Sequence, residues 1–451
     1  MTAAMLGQIA PLVVVALTAV VAMLMAPLAR ARTIRAMTAA GFVLAFLALS
    51  TRFALPGGPV GDLLADDAPA RFGAALSLLA GLGILAFTRS GEGREGPALV
   101  ALAVAGALTL SGATHAATLF LGLEITTLAL IVMTVFPRDA PAVEAGYKTF
   151  VMAGVAAAAL LLGAAFGLAA TGSLALTVWT TESTIAGVGL ALVLAALAFK
   201  FSLVPFHMWV PDLFAGAPAA AAALAGAVSK IAVGVALVRL DALGPAGPAW
   251  SAGLALAGAG AVILGNLVAL RQDSLMRMLG YSSIAQSGYM ALVLGSGAAA
   301  SGEVVLFYLM AYAPTVVAAL LVAGLLGRGA RVVDLRGLVW AQPVAGTALA
   351  VALLSMAGLP PTAGFVSKLY VFSALAGQEA WRLLAVAIAG SALAVFYYLR
   401  FAVRAFAMAD AAPARQAPWP GITVLGAATG LVILAGIYPE PFVHIVRAAV
   451  P

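Results

Sequence analysis

Long apolar runs fill this sequence from one end to the other. About 20 consecutive apolar residues cross the hydrocarbon core of a bilayer as a helix, and runs of this size recur between short polar stretches. Charged residues make up only 9% of the chain, against about 25% in soluble domains. We therefore predict an all-α polytopic membrane protein. Fourteen spans are predicted, centred near Leu17, Phe46, Leu79, Val104, Leu128, Leu160, Leu194, Leu224, Leu256, Leu292, Ala313, Leu354, Val395 and Val432.

Several kinds of site are excluded by residue type. The chain has no cysteine, which rules out disulfides, thiolate zinc sites and cysteine-ligated iron–sulfur clusters. Its 3 histidines lie far apart, so no metal site or redox centre is expected on this chain. The pair of glycines in Gly258-Ala-Gly260 lies inside an apolar run and indicates helix packing rather than a nucleotide site. The net charge of +6 does not indicate nucleic acid binding in a chain of this composition.

The two kinds of cation are separated along the sequence. The arginines lie in or beside predicted loops, whereas all 4 lysines lie inside or at the edge of apolar runs: Lys148, Lys200, Lys230 and Lys368. A buried lysine changes its protonation state readily, and arginine does not. The lysines therefore predict protonation changes within the membrane. Fourteen spans would place both termini on the same side of the membrane. Most arginines fall in the odd-numbered connections, which the positive-inside rule places in the cytoplasm, so both termini are expected outside.

Two of the predicted spans are interrupted. Lys200 in the seventh span is followed by Pro205 and Pro211, and the twelfth span contains a Gly-Leu-Pro-Pro break shortly before Lys368. Helix breaks at membrane depth survive only where protein or a watery cavity satisfies the freed backbone. Such a pair of breaks in separate halves of a chain is typical of transporters built from inverted repeats.

Other titratable residues are candidates for a proton path. Glu124 is the one acid in the middle of a long apolar run, and it is expected to be neutral or paired with a cation. Lys148, on the next span, is a geometrically easy partner, although near a span end it could instead extend to the interface. His207 lies beside the first break, where it could relay a proton or act as a structural hydrogen-bonding group. Lys200 and Lys230 lie deep in their spans, where extension to the interface is less expected than at a span end.

Three stretches carry a family resemblance. FKFSLVPFHMWVPDLFAGAPAAAAALAGAVSK (Phe199–Lys230), RQDSLMRMLGYSSIAQSGYM (Arg271–Met290) and LLSMAGLPPTAGFVSKLYVFSAL (Leu353–Leu375) resemble the antiporter-like membrane subunits of respiratory complex I and Mrp-type cation/proton antiporters. Within that family, the pattern is most similar to the N-type subunits of bacterial NADH–quinone oxidoreductase. Two departures are noted. The sequence Glu-Ile-Thr-Thr at 124–127 replaces the usual Glu-Leu-x-Ser, and Pro314 is expected to kink the eleventh span.

The resemblance implies a fold and a set of roles. It implies a single membrane domain, with the first three helices in 1–96, two inverted five-helix repeats in 97–240 and 249–406, and a fourteenth helix in 420–440. Helices 7 and 12 would be discontinuous. Glu124 and Lys148 would form a coupling pair, and Lys200, Lys230 and Lys368 would be the central, connecting and terminal lysines of a proton relay joined by His207.

The resemblance also implies a setting. The chain would be a proton-translocating subunit of complex I in the bacterial inner membrane, beside other antiporter-like and small membrane subunits and the lipid. It would carry no cofactor, and NADH, FMN, iron–sulfur clusters and quinone would bind to partner subunits. Two alternatives stay open: a subunit of an Mrp-type Na⁺/H⁺ antiporter or membrane-bound hydrogenase, and a structural membrane subunit that pumps nothing.

Overall fold

The protein is almost entirely helical. The computed structural model describes residues 3–88, 93–179, 183–243, 247–408 and 415–450. Within these ranges, eleven helical segments are long and apolar enough to cross a bilayer. The predicted fold class, an all-α polytopic membrane protein, is therefore confirmed.

The helices follow one another with short connections. The first half of the chain contains α1 (Ala3–Met25), α2 (Ala31–Arg52), α3 (Ala68–Leu85), α4 (Gly96–Ser111), α5 (Ala116–Val135), α6 (Ala140–Thr171), α7 (Thr184–Phe201), α8 (Trp209–Gly216), α9 (Ala219–Ala223) and α10 (Ser229–Ala242). The second half contains α11 (Pro248–Ala269), α12 (Leu275–Gly295), α13 (Ser301–Leu326), α14 (Leu338–Ala341), α15 (Pro343–Ala357), α16 (Ala363–Gly377), α17 (Trp381–Phe406), α18 (Trp419–Ile437) and α19 (Glu440–Arg447).

Three shorter features complete the described chain. A π-helical turn at Leu224–Val228 joins α9 to α10, and 3-10 turns lie at Leu176–Val178 and Val332–Leu335. An antiparallel hairpin of β1 (Gly58–Val60) and β2 (Leu64–Asp66) lies between α2 and α3. Hydropathy did not predict this hairpin, because its strands are only three residues long.

Each of the fourteen predicted span centres falls within a described helix or, for Leu224, within the π-turn. Eleven segments satisfy the length and hydropathy of a full span. The count of fourteen and the repeat boundaries stay predictions. Pro314 lies inside a continuous α13, so it does not interrupt the eleventh span.

Small residues allow the helices to approach closely. The best example is the contact between α11 and α12, where a Cβ atom added to Gly288 would lie 2.8 Å from the carbonyl oxygen of Gly258. Only glycine fits so near a neighbouring backbone, as in other membrane helix pairs. The packing role predicted for Gly258 is therefore confirmed.

Both predicted helix interruptions are present, and both have the same backbone pattern. Helix α7 ends at Phe201 and Ser202 is left-handed, with φ of 65°. Helix α15 ends at Ala357 and Gly358 is left-handed, with φ of 80°. At each break the last turn closes with the paired hydrogen bonds of a Schellman motif. The chain then continues into α8 and α16, so each break leaves a helix C-terminus inside the protein.

Residues 220–240 are all buried. This stretch contains the π-turn immediately before Lys230. Helix α13, which packs against α10, is also almost completely buried. Lys230 therefore lies at the centre of the helix bundle.

Candidate functional site

Lys200 lies in the last turn of α7 and is only 2% exposed. Its ammonium nitrogen donates a hydrogen bond of 2.7 Å to the hydroxyl of Thr127 on α5. Thr127 in turn donates to the carbonyl of Leu123, which leaves its oxygen free to accept. Thr127 occupies the serine position of the usual Glu-Leu-x-Ser pattern. A hydroxyl is therefore kept at this position, and it accepts the hydrogen bond of Lys200.

Lys230 follows the π-turn and is 1% exposed. Its ammonium donates to the Phe201 carbonyl at 2.7 Å and to the Ser287 hydroxyl at 2.6 Å. A weaker contact of 3.4 Å reaches the Ser283 carbonyl, and the Phe201 ring lies 5.4 Å from the nitrogen. Three oxygens thus surround an ammonium group whose residue is almost completely buried.

Lys368 lies on α16 and is 3% exposed. Its ammonium donates to the Ala357 carbonyl at 2.9 Å and to the Ser391 hydroxyl at 3.1 Å. The centroid of the Tyr289 ring lies 5.2 Å from the nitrogen, within the range of a cation–π contact. A third buried cation is therefore held by a carbonyl, a hydroxyl and an aromatic face.

Lys230 and Lys368 are bound in the same way. Each donates to the carbonyl of the last helical residue before a break, Phe201 in one case and Ala357 in the other. The C-terminal end of a helix carries unpaired carbonyls and a partial negative charge, which favour a nearby cation. The breaks therefore create two sites for ammonium groups within the protein interior.

Helix α12 presents a polar face between these two lysines. At the Lys230 end, the Ser287 hydroxyl contacts the ammonium at 2.6 Å, and Tyr312 donates to the Ser283 hydroxyl at 2.9 Å. At the Lys368 end, Gln286 accepts from Tyr308 and donates to Tyr398 at 3.0 Å.

A small cavity lies between these two groups of polar side chains. Besides residues of α12, it is lined by hydroxyl groups from three helices: Tyr308, Tyr312, Thr315, Ser355 and Ser367. Tyr312, which donates to Ser283 near Lys230, and Gln286, at the Lys368 end, thus both reach this cavity, although neither lysine lines it.

Sequence reasoning missed this polar face, although a signal was present. The apolar segment around α12 contains Ser283, Gln286 and Ser287, whose spacing of three and four residues places them on one side of a helix. Tyr308 and Tyr312 are likewise four residues apart on α13. The pattern of polar residues would have identified a polar stripe, but not the helix that it faces.

Glu124 lies on α5, one turn before Thr127, and is partly buried. It lines the same small cavity as Lys200. On α6, that cavity is bounded by Ala153, Ala156 and Ala157. The carboxyl group therefore lies near the central lysine.

Lys148 does not pair with Glu124 in this structure. Its ammonium contacts the carboxylates of Glu144 at 2.7 Å and Asp212 at 3.0 Å, and within the described residues no ion pair joins it to Glu124. Lys148 does not line the cavity beside Glu124, which meets α6 more than a turn further along, at Ala153. The predicted contact between the two spans is thus replaced by contacts to α6 itself and to α8.

His207 lies in the loop that joins α7 to α8 and is partly buried. The Pro205 backbone lies beside the imidazole, but the buried Nδ1 makes no hydrogen bond of good geometry to any described residue. No described hydrogen bond links His207 to Lys200 or Lys230. Its place in a relay stays a prediction.

Fold and site together define a class of protein. Buried, hydrogen-bonded lysines at broken helices in a multi-pass bundle are typical of ion-translocating membrane subunits. Residues 113–394 match the family described as NADH:quinone oxidoreductase/Mrp antiporter, transmembrane. The chain belongs to this family.

Full-length relatives agree with that assignment. NADH-quinone oxidoreductase subunit N of Cereibacter sphaeroides is 51% identical over 446 residues, with 98% of each chain covered. A chain in the structure of respiratory complex I from Thermus thermophilus with bound aureothin is 32% identical, with a TM-score of 0.89 over 97% of this chain and 99% of that chain. The predicted similarity to N-type subunits is therefore confirmed.

A more distant structure shows the same fold. A chain of the Mrp complex from Dietzia sp. has a TM-score of 0.89 over 100% of this chain and 97% of that chain, at 20% identity. At this identity the comparison shows a shared architecture and nothing further.

Proposed function

We propose that this chain is a proton-translocating membrane-arm subunit of a complex I-type NADH–quinone oxidoreductase in the bacterial inner membrane. Redox energy would be released on partner subunits that hold NADH, FMN, iron–sulfur clusters and quinone. This chain would neighbour other antiporter-like and small membrane subunits. It would use the released energy to move protons across the membrane. The near-full-length identity to a subunit N supports the assignment to that enzyme.

One observation carries the proton-moving role. Three lysines that are 3% exposed or less are each held by carbonyl or hydroxyl oxygens rather than by a carboxylate. Such oxygens can accept a hydrogen bond from either protonation state of the amine, whereas a buried carboxylate would hold the lysine permanently charged. A set of lysines held in this way suits repeated loss and gain of a proton.

The proposed path follows the lysines. Lys200 would exchange a proton with Lys230 across the broken end of α7, where Phe201 already contacts the Lys230 ammonium. From Lys230, the proton would cross the polar face of α12 and its cavity to Lys368. Each transfer leaves one amine neutral and the next one charged. Net translocation would then require a proton to enter the row of lysines from one side of the membrane and to leave it on the other.

Glu124, Lys148 and His207 have supporting roles in this proposal. Glu124, which shares a cavity with Lys200, would bias the charge of the central lysine, because an opposite charge nearby favours the ammonium form. Lys148 would carry the coupling signal from the neighbouring subunit. His207, at the break beside Lys200, would gain and lose a proton at its imidazole as part of the relay.

The architecture of the family completes the proposal. The two breaks with equivalent lysine contacts support a division into repeats at 97–240 and 249–406. The arginine-rich odd connections support both termini on the outer side.

The direct test is NADH-driven acidification of inverted membrane vesicles that carry Glu124→Ala, normalised to assembled complex. We expect acidification and NADH–quinone turnover to fall together while assembly stays intact. Glu303→Ala is the matched control, since Glu303 lies in the first turn of α13, is 40% exposed at its side chain and pairs only with Arg447 among described residues. Normal rates in the Glu124 variant would assign Glu124 a structural role and contradict the coupled path.

A further inference from the structure

A single carboxylate joins cations from the two predicted repeats. Asp212 on α8 contacts Lys148 of α6 through Oδ2 at 3.0 Å. Through Oδ1, it contacts Arg277 in the first turn of α12 at 2.9 Å. The residue lies in the second half of the broken seventh span, so its position depends on the loop that follows Lys200.

The packing around this bridge is tight on the α12 side. A Cβ atom added to Gly280 would lie 2.8 Å from the Cα atom of Pro211, so α8 and α12 touch through their backbones one residue before Asp212. This close contact holds the carboxylate near Arg277. Helix α8 also lies close to α6, since a Cβ atom added to Gly216 would lie 2.5 Å from the Pro141 carbonyl oxygen. On that side, however, the partner of Asp212 is a long lysine side chain that is 45% exposed.

Lys148 has a choice of carboxylates. Glu144, one turn away on the same helix, contacts it at 2.7 Å, and Asp212 contacts it from α8. Asp212 is the partner that links Lys148 to another helix. If Lys148 moved to Glu144 alone, Asp212 would keep Arg277 as its one described cation. The Asp212 carboxylate would then attract Arg277 without competition from Lys148.

From this geometry we infer that Asp212 is a positioning residue for proton translocation, which sets the place of Lys148 and passes changes at Lys148 to α12 through Arg277. Helix α12 carries Ser283, Gln286 and Ser287, the polar face between Lys230 and Lys368. A change at the Asp212 bridge therefore reaches the central relay through a rigid helix. The inference rests on the proposed function, since it describes how one part of that path controls another.

The test compares variants in inverted membrane vesicles, with NADH–quinone turnover and acidification both normalised to assembled complex. Asp212→Asn removes the charge and keeps the side-chain size. We expect a loss of roughly fivefold, the size of a coupling of about 1 kcal/mol within one network. Asp212→Glu restores a carboxylate and is expected to recover most of that loss, which a purely structural packing defect would not allow.

A double variant identifies the partner. If Asp212 acts through Lys148, Lys148→Gln combined with Asp212→Asn is no slower than Lys148→Gln alone. Asp273→Asn is the matched control, because Asp273 also bridges two arginines, Arg331 and Arg400, close to the start of α12. It has no described contact with Lys148, and its variant is expected to match the parent.

Three results would overturn the inference: parental rates in Asp212→Asn, no recovery in Asp212→Glu, or losses that multiply in the double variant. If Asp212→Asn does not assemble, Arg277→Gln decides, because it opens the bridge on the α12 side only. Parental turnover in Arg277→Gln would then exclude the link to α12. Any of these results beside a strong defect in Glu124→Ala would refute this inference and leave the proposed function standing.

Discussion

At the scale of single residues, the lysines fall into two groups that their positions in the sequence predicted. Lys200, Lys230 and Lys368 lie deep in the interior, with exposures of 2%, 1% and 3%. Lys148 lies in the first third of α6 and is 45% exposed at its side chain. The three deep lysines donate to uncharged hydroxyl and carbonyl oxygens, whereas Lys148 contacts charged carboxylates. The first group suits proton exchange, and the second suits a charge that is held in place.

Thr127 is the residue on which Lys200 depends most. Among described residues, it provides the hydrogen bond that Lys200 makes, and a buried charged donor without a partner costs about 1–3 kcal/mol or more. We predict that Thr127→Val lowers the thermal stability of the purified complex and its turnover, whereas Thr127→Ser keeps both. Thr126→Val is the control, because within the described ranges the Thr126 hydroxyl bonds only to backbone carbonyls. Equal behaviour of the two valine variants would contradict this dependence.

Asp67 gives a prediction about pH. It caps α3 through Ala70 and contacts the buried Arg239 at 2.7 Å. Burial alone would raise the pKa of Asp67, but the hydrogen bond and charge of Arg239 outweigh it and lower the pKa below 3.8. Ionised Asp67 therefore favours the folded state. This stabilisation is full above the unfolded pKa and is lost as the pH falls through the lower, folded pKa.

The variant that isolates this charge is Asp67→Asn, which keeps a good helix cap. We predict that it lowers the unfolding free energy by about 1–3 kcal/mol near neutral pH. The difference from the parent should shrink as the pH falls below about 4. Thermal unfolding of the detergent-solubilised protein across this range measures it. A difference that stays constant at the lowest pH would show that the Asp67 charge is not the cause.

At the scale of helices, the two breaks combine a left-handed residue with a lysine contact. Prolines and glycines in the sequence predicted both interruptions, because proline cannot continue a helix. The residue at which the Schellman motif ends each helix decides which backbone carbonyls have no hydrogen bond within that helix. That closure places the Phe201 and Ala357 carbonyls toward lysines from elsewhere in the chain, which a local pattern cannot specify.

Gly358 tests the structure of these breaks. Its φ of 80° is unfavourable for other residues, and an added Cβ atom would lie 2.6 Å from Cδ of Lys368. We predict that Gly358→Ala lowers stability by about 1–2 kcal/mol and lowers turnover by displacing Lys368. Ser202→Gly at the matching position removes a Cβ atom from a left-handed residue and should be neutral or stabilising. Thermal unfolding and turnover check both, and an unchanged Gly358→Ala protein would contradict the expectation.

The polar face of α12 marks the limit of prediction at this scale. The stretch Arg271–Met290 resembles the family, but the sequence predicts no role for Gln286 or Ser287. Hydropathy locates a span but does not fix the rotation of its helix relative to its neighbours. The contacts of Ser287 with Lys230 and of Gln286 with Tyr308 and Tyr398 arise from that rotation.

At the scale of the whole molecule, the sequence predicted the class of fold and the buried cations, but not every contact between them. The pairing of Lys148 with Glu124 was expected because their spans are adjacent. The structure instead places Lys148 beside Glu144 and Asp212, since its side of α6 faces α8. Asp212 could not be selected from the sequence, because its two partners are 64 and 65 residues away.

The central claim is that Lys230 must change its charge. Arginine keeps a permanent positive charge at this position, whereas methionine removes it. NADH-driven acidification of inverted vesicles should therefore be compared in Lys230→Arg and Lys230→Met, normalised to assembled complex, with the exposed Arg382→Gln as the control. We predict that both lysine variants lose acidification by roughly tenfold or more, while the control matches the parent. Parental acidification in Lys230→Arg together with loss in Lys230→Met would show that a fixed cation suffices, and would contradict the proposed relay.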